Sequence, residues 1–232
     1  MAMSHSLSLL KKTFSSVITL SCFSLLPTFI ASAQAGDAVR GESLVGTCIA
    51  CHNKDGNSQA SSFPKIAGLG EKYLYKQLLD IKAGNAGLEG GRPVAQMQGL
   101  LQNSSDQDLE DMAAYFDQYK MAISGSVKSQ VQLNSGVKVD SLKLGEKVFR
   151  AGNLETGVPA CAGCHTPRGL GNALAGTPRL SGQWSEYIAA ELLEYRNGNR
   201  VNDGDSMIMR GVAKNMSDAE IQAVANYLAG LN

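Results

Sequence analysis

Two copies of one five-residue motif constrain this chain more than any other feature: Cys48-Ile49-Ala50-Cys51-His52 and Cys161-Ala162-Gly163-Cys164-His165. Each is a Cys-x-x-Cys-His run, the attachment signature of a c-type haem. Two thiols at this spacing reach the two vinyl groups on one porphyrin edge and form thioethers. The adjacent histidine then offers its imidazole to the iron. The chain has only five cysteines, so four of them are committed to the motifs.

Histidine supply narrows the iron chemistry. The three histidines are His5, His52 and His165, and His5 lies in a segment expected to be removed. Neither haem can therefore recruit a second histidine from the mature chain. The sixth ligand is methionine, an unusual donor such as lysine, or nothing. This excludes bis-histidine multihaem cytochromes and points toward His/Met iron of raised reduction potential.

Lys11 and Lys12 precede an apolar stretch from Phe14 to Ile30, which ends in Ala31-Ser32-Ala33-Gln34-Ala35. This is the layout of a cleaved export signal, with the cut expected after Ala35 and the mature chain starting at Gly36. The alternative is an uncleaved anchor, which Ser15, Ser16, Ser21 and Pro27 weaken as a spanning helix. Cys22 lies behind Thr19-Leu20-Ser21, a poor lipoprotein site, and is expected to be discarded. The leader holds two lysines and no acids, so the mature chain has 19 basic and 21 acidic residues, a net charge of −2. The propionates of two haems add negative charge. Nucleic-acid binding, which needs a basic surface, is excluded.

An internal repeat divides the mature chain. Gly41-Glu42-Ser43-Leu44-Val45 resembles Gly145-Glu146-Lys147-Val148-Phe149, and Phe63-Pro64-Lys65-Ile66-Ala67-Gly68 matches Thr177-Pro178-Arg179-Leu180-Ser181-Gly182. Tyr73 pairs with Tyr187, Ser105 with Ser217 and Tyr115 with Tyr227. The offset is 113 at the motifs, 114 at the prolines and 112 at the closing segments. A period this long is a domain duplication rather than a solenoid. The expected organisation is a signal peptide over 1–35, domains over 36–122 and 140–232, and a linker over 123–139.

Each half reads as helices, so the fold class is all-α. First helices are expected from about Ala38 and Ser141. Glu71–Lys82 and Ser185–Arg196 are amphipathic, with Gly84 and Gly198 as stops. Ser217-Asp218-Ala219-Glu220 is a capping box with Met216 as the apolar residue before the cap. Strand signals are nearly absent, and the stretch between Lys120 and Ser141 reads as a polar linker. A half of roughly 90 residues with few aromatic residues has a modest core, which the apolar face of a covalently held haem would complete.

Other uses of Cys-x-x-Cys are weaker. Zinc sites keep their pairs close in sequence, whereas both histidines here directly follow a cysteine. A thioredoxin-like pair needs a βαβ context that is missing, and a disulfide framework is the third, minor alternative in a secreted chain. Among the mature methionines, Met112 lies in a helix, Met121 starts the linker and Met216 precedes a cap, so all three read as packing residues. Met97 lies in a loop 45 residues after His52, and Met207 and Met209 occupy the equivalent loop, 42 and 44 residues after His165.

Cys48–His52, Asp55-Gly56-Asn57-Ser58, Phe63–Gly68, Ser105–Leu109 and Asn202-Asp203-Gly204-Asp205-Ser206-Met207-Ile208-Met209-Arg210 together resemble the cytochrome c4 family. These are dihaem, class I cytochromes c of the bacterial periplasm, and the likeness spans Gly36 to Asn232. The resemblance implies two tandem class I cytochrome c folds related by a pseudo-twofold axis, with haem propionates meeting near their interface. It implies two covalently bound haem c groups on Cys48, Cys51, Cys161 and Cys164. The axial pairs it implies are His52 with Met97 and His165 with Met209. A proline carbonyl commonly holds the proximal imidazole in such folds, and Pro64 and Pro178 match that position. The repeat itself separates the two loop methionines: at the closing-helix offset of 112, Met97 corresponds to Met209 and Met207 to Ala95.

The function implied is electron transport by a non-enzymatic carrier, a monomer free in the periplasm or resting on the inner membrane. Its implied partners are a cytochrome bc complex as donor and a haem–copper terminal oxidase as acceptor. The alternative is a dihaem subunit of a flavocytochrome sulfide dehydrogenase or another periplasmic dehydrogenase. A catalytic dihaem peroxidase would need an open iron site, against which the loop methionines argue.

Overall fold

Short polar side chains open the first and last helices of both halves. In the computed structural model, which describes residues 35–232, Asp37 accepts hydrogen bonds from the Val39 and Arg40 N–H groups and starts α1 (Ala38–Leu44). Asp140 caps α5 (Ser141–Ala151) in the same way through Lys143. Ser105 with Asp108 and Ser217 with Glu220 form reciprocal capping boxes for α4 (Asp106–Asp117) and α9 (Asp218–Gly230). Such boxes satisfy donors that a first helical turn leaves unpaired. The expected leader, apart from Ala35, lies outside the described residues.

Between these helices, each half repeats one order of elements. The motif helices α2 (Ile49–His52) and α6 (Ala162–His165) are single turns. They are followed by α3 (Glu71–Asn85) and α7 (Ser185–Asn197). A 3-10 turn at Ala95–Met97 holds the loop methionine of the first half. The second half has a 3-10 turn at Gly204–Ser206 and then a short helix, α8 (Ile208–Ala213).

The first helix of each half packs on the last, α1 on α4 and α5 on α9. Two repeat-equivalent glycines permit the crossings. A Cβ on Gly41 would collide with the Asp111 carbonyl oxygen, and one on Gly145 with that of Ala223. Around the first crossing, Val45, Leu74, Leu109, Tyr115, Phe116 and Met121 form one core. Val148, Phe149, Ile188, Met216, Ile221 and Leu228 form another in the second half. Met112, Met121 and Met216 are all buried.

Two expectations need correction. Gly84 does not stop a helix, because α3 continues to Asn85. A Cβ at Gly84 would instead collide with the backbone at Arg92 and Pro93, so the missing side chain serves close packing. Gly198 does end α7, in the left-handed conformation. The stretch read as a plain polar linker contains a hairpin, β1 (Gln130–Gln132) antiparallel to β2 (Lys138–Asp140), with Val131 opposite Val139. Gly136, at φ 83°, makes its turn. Val131, Leu133 and Val139 pack on Ala219 and Ala223 of α9.

Just before the hairpin, buried Asn226 of α9 anchors the chain. Its Oδ1 accepts the Val127 and Lys128 N–H groups, each at 2.9 Å, and its Nδ2 donates to the Lys128 carbonyl at 2.9 Å. Among the described residues, no helix is long and apolar enough to cross a membrane.

Candidate haem sites

Both motifs have the same local geometry. Cys48 and Cys161 are half-buried, Cys51 and Cys164 are exposed, and none of the four is in a disulfide. His52 and His165 turn inward and are buried. The next residues, Asn53 and Thr166, have φ of 65° and 68° with ψ of 163° and 155°. Non-glycine residues avoid this region, so its recurrence at one repeat position marks strain held by the surrounding fold. It turns the chain away immediately after each imidazole.

The two imidazoles are held identically. Nδ1 of His52 lies 2.9 Å from the Pro64 carbonyl oxygen, and Nδ1 of His165 lies 2.9 Å from that of Pro178. A carbonyl can only accept, so each Nδ1 bears the proton and donates it. The opposite nitrogen, Nε2, then presents a lone pair, the state a metal ligand requires. Burial lowers the pKa of both histidines and favours this neutral form, outweighing the opposite pull of the proline carbonyls.

The inner thiols are not tuned for disulfide exchange. Burial pushes Cys48 up and carries Cys161 up to about 11, whereas redox-active cysteines have depressed values. Nor do the motifs converge on a metal cage: among the described residues, no three His, Cys, Asp or Glu side chains gather to hold an ion.

In the first half, Cys48, His52 and Met97 line one cavity of about 570 Å³. Leu74, Leu78, Ile81 and Phe116 give it apolar walls. In the second half, Met209 is partly buried at the second position of α8. Met207 is 50% exposed and has a left-handed φ of 47°. Thiols at one edge, an imidazole nitrogen on one side and a thioether in the wall suit a haem.

The cavity also reaches the second half, where Tyr187, Glu191 and Arg200 join its lining. Arg92 and Arg200 share the single carboxylate of Glu191, at 2.5 Å each, with side chains 12%, 6% and 19% exposed respectively. Gln77 accepts from both guanidinium groups, and Tyr187 and Tyr73 bond one each. Two buried cations against one anion leave a positive edge, which matches the acidic rim of a porphyrin bearing propionates.

Further along the contact between the halves, Gln183 and Lys65 exchange hydrogen bonds. Lys65 N–H donates to Gln183 Oε1 at 2.9 Å, and Gln183 Nε2 donates to the Lys65 carbonyl at 2.7 Å. Lys65 Nζ bonds the Ala122 carbonyl at 2.7 Å and lies 4.5 Å from the Trp184 ring centre. Burial lowers the pKa of this lysine, only partly opposed by Asp55.

Sequence reasoning named the motif cysteines and histidines, the prolines and the loop methionines. It missed Arg92, Arg200, Lys65 and Gln183. The available signal was inequality within the repeat: Gln183 and Trp184 occupy positions that correspond to Leu69 and Gly70.

Two such motifs with the same histidine geometry, on two copies of one helical fold, define a dihaem c-type cytochrome. The family model for Cytochrome c matches residues 38–120 and 142–232. Cytochrome c4 of Stutzerimonas stutzeri is 53% identical over 202 residues, covering 85% of this chain and 90% of the relative. The crystal structure of reduced recombinant cytochrome c4 from Pseudomonas stutzeri superposes with a TM-score of 0.78 at 51% identity, over 85% of this chain and all of that one. A thiosulfate dehydrogenase electron acceptor from Stutzerimonas stutzeri is 32% identical, covering 79% of this chain and 78% of the relative. The chain belongs to the cytochrome c4 family. It binds two covalent haem c groups and carries electrons rather than catalysing a reaction.

Proposed function

We propose that each half is a complete one-electron site with its own ligand set. Cys48 and Cys51 hold the first haem, with His52 and Met97 as axial ligands. Cys161 and Cys164 hold the second, with His165 and Met209. The observation that carries this reading is the repeat-equivalent donation of Nδ1–H to Pro64 and Pro178, which leaves one free imidazole nitrogen in each half. When bound, each haem cycles between ferrous and ferric iron. The protein orients the imidazole, keeps water from the iron through its apolar walls, and sets positive charge beside the acidic rim.

The domains are assigned to 36–122 and 140–232, with 123–139 as the connection and 1–35 as a cleaved export signal. The working compartment is then the periplasm. Electrons pass from a cytochrome bc complex to a haem–copper terminal oxidase, either through solution or along the inner-membrane surface, with the carrier as a monomer. A second reading rests on the relative named as a thiosulfate dehydrogenase electron acceptor: electrons would enter from a periplasmic dehydrogenase.

The mass of protein recovered from the periplasm tests the site assignment. Residues 36–232 plus two haems is the expected value. One haem, or an intact leader, contradicts it. Stopped-flow oxidation of the reduced carrier by membranes containing the oxidase tests the acceptor. Rapid reduction by a periplasmic dehydrogenase, with no exchange with the bc complex, would favour the second reading.

A further inference from the structure

The two proximal histidines are held alike, yet the peptides that hold them are not. The Pro64 carbonyl that accepts from His52 belongs to the same peptide unit as the Lys65 N–H. That N–H donates across the interface to Gln183 Oε1, which also accepts from Trp184 N–H at 3.0 Å. The amide orientation is therefore fixed by partners that can only donate, while Gln183 Nε2 meets a carbonyl that can only accept. Gln183 is 3% exposed and Lys65 is 4% exposed, so the chain of bonds runs through dry protein.

In the second half, Pro178 accepts from His165, but the Arg179 N–H of that peptide has no acceptor among the described residues. The residue equivalent to Gln183 is Leu69, which is buried in the core of its own half and offers no polar atom. The local loops are otherwise matched. Gly56 and Gly169 each accept from the next two backbone N–H groups, Ile66 with Ala67 and Leu180 with Ser181. At the peptide that holds the imidazole, the partner that differs is the Gln183 side chain, with Trp184 beside it in place of Gly70.

We infer that Gln183 is a positioning residue of the second half that tunes the first haem, and this rests on His52 being that haem's proximal ligand. Hydrogen bonds in series polarise one another in a low-dielectric interior. When Lys65 N–H donates to Gln183, the Pro64 oxygen becomes a stronger acceptor. It draws the Nδ1 proton of His52 more firmly, and the imidazole becomes a more electron-rich ligand. A richer ligand favours ferric over ferrous iron and lowers the potential. The relay exists on one side only, so it separates the two potentials. It also links the first site to the docking of the halves.

The test compares holoproteins of wild type, Gln183→Leu and Gln183→Asn by redox titration and by NMR of the histidine Nδ1 protons. Asparagine keeps an amide in the interface but is too short for both bonds, and it serves if leucine prevents folding. The expected result is a raised potential of the first haem and an upfield move of the His52 Nδ1 proton, with the second haem and His165 unchanged. Equal shifts of both haems would mean that Gln183 only cements the interface, and no shift of either would remove the relay. Failure of the ligand assignment reads differently. In that case the wild-type His52 resonance would lack the paramagnetic shift of an iron ligand before any substitution is made.

Discussion

The two halves perform the same helix crossing with opposite chemistry. At α1 and α4, buried Asp111 accepts from the Asp37 N–H at 2.8 Å and from Gln107 Nε2 at 2.9 Å, and it pairs with Arg40. At α5 and α9 the equivalent residue is Ala223, covered by Val131 of the hairpin. A charge network ties the start of the first half, whereas an apolar lid ties the start of the second. Duplication therefore conserves the glycine that lets two helices meet and leaves the means of fastening them free to differ.

The shared glycines carry the largest expected effect. Gly41→Val and Gly145→Val should each cost about 3 kcal/mol, because the added side chain meets backbone rather than a movable group. Denaturant unfolding of the holoproteins measures both. Unequal losses would show that only one crossing depends on close approach.

Asp111→Ala should cost about 2 kcal/mol, since it strips a buried carboxylate from charged and backbone donors. Ala223→Asp should also destabilise, by setting a carboxylate under the hairpin without a partner. Asp111 also makes the first crossing sensitive to acid. Burial alone would raise the pKa of Asp111, but the Asp37 N–H, Gln107 and Arg40 more than offset it and hold it below the usual range. A depressed folded value means that the stabilisation is present above the unfolded value of about 3.9 and is lost as pH falls below it. Asp111→Asn should therefore flatten the acid limb of the stability curve, measured by thermal melts between neutral pH and about pH 3.

The caps should give the smallest effect. Ser105→Ala and Ser217→Ala should each cost about 1 kcal/mol. The second should cost slightly more, because Glu220 of its box also accepts from Asn153 at 2.8 Å and fixes a neighbouring loop. Thermal melts of the two variants rank them, and equal losses would remove the distinction.

What could be read from the sequence follows the range of the interaction involved. Caps, motif turns and the duplication are local patterns, and Ser105, Ser217 and the two motifs announce them directly. The hairpin also had a local signal: Val131 and Leu133 alternate with polar residues up to Asn134-Ser135-Gly136, and Val137 and Val139 alternate after it. Its strands are only three residues long, too short to stand out from a polar stretch, and their stability comes from α9. Gly84 was misread because a glycine that ends a helix and one that admits a neighbouring backbone look the same in sequence. Arg92, Glu191 and Arg200 meet across the interface and have no local signature. Within the sites, the donors attached to motifs were legible, while the groups that set charge and hydrogen bonding around them were visible only once the halves were docked.

The central claim, one complete His/Met site per half, is tested most directly by the ferric spectra of Met97→Leu, Met209→Leu and Met207→Leu. The weak far-red band that reports thioether ligation should fall by half in each of the first two variants, with the lost half belonging to a different haem in each case. It should stay intact in Met207→Leu, in keeping with the exposure of that side chain. If Met207→Leu loses half the band while Met209→Leu keeps it, the ligand register of the second half is wrong. If Met97→Leu or Met209→Leu alone abolishes the whole band, the halves are not independent sites.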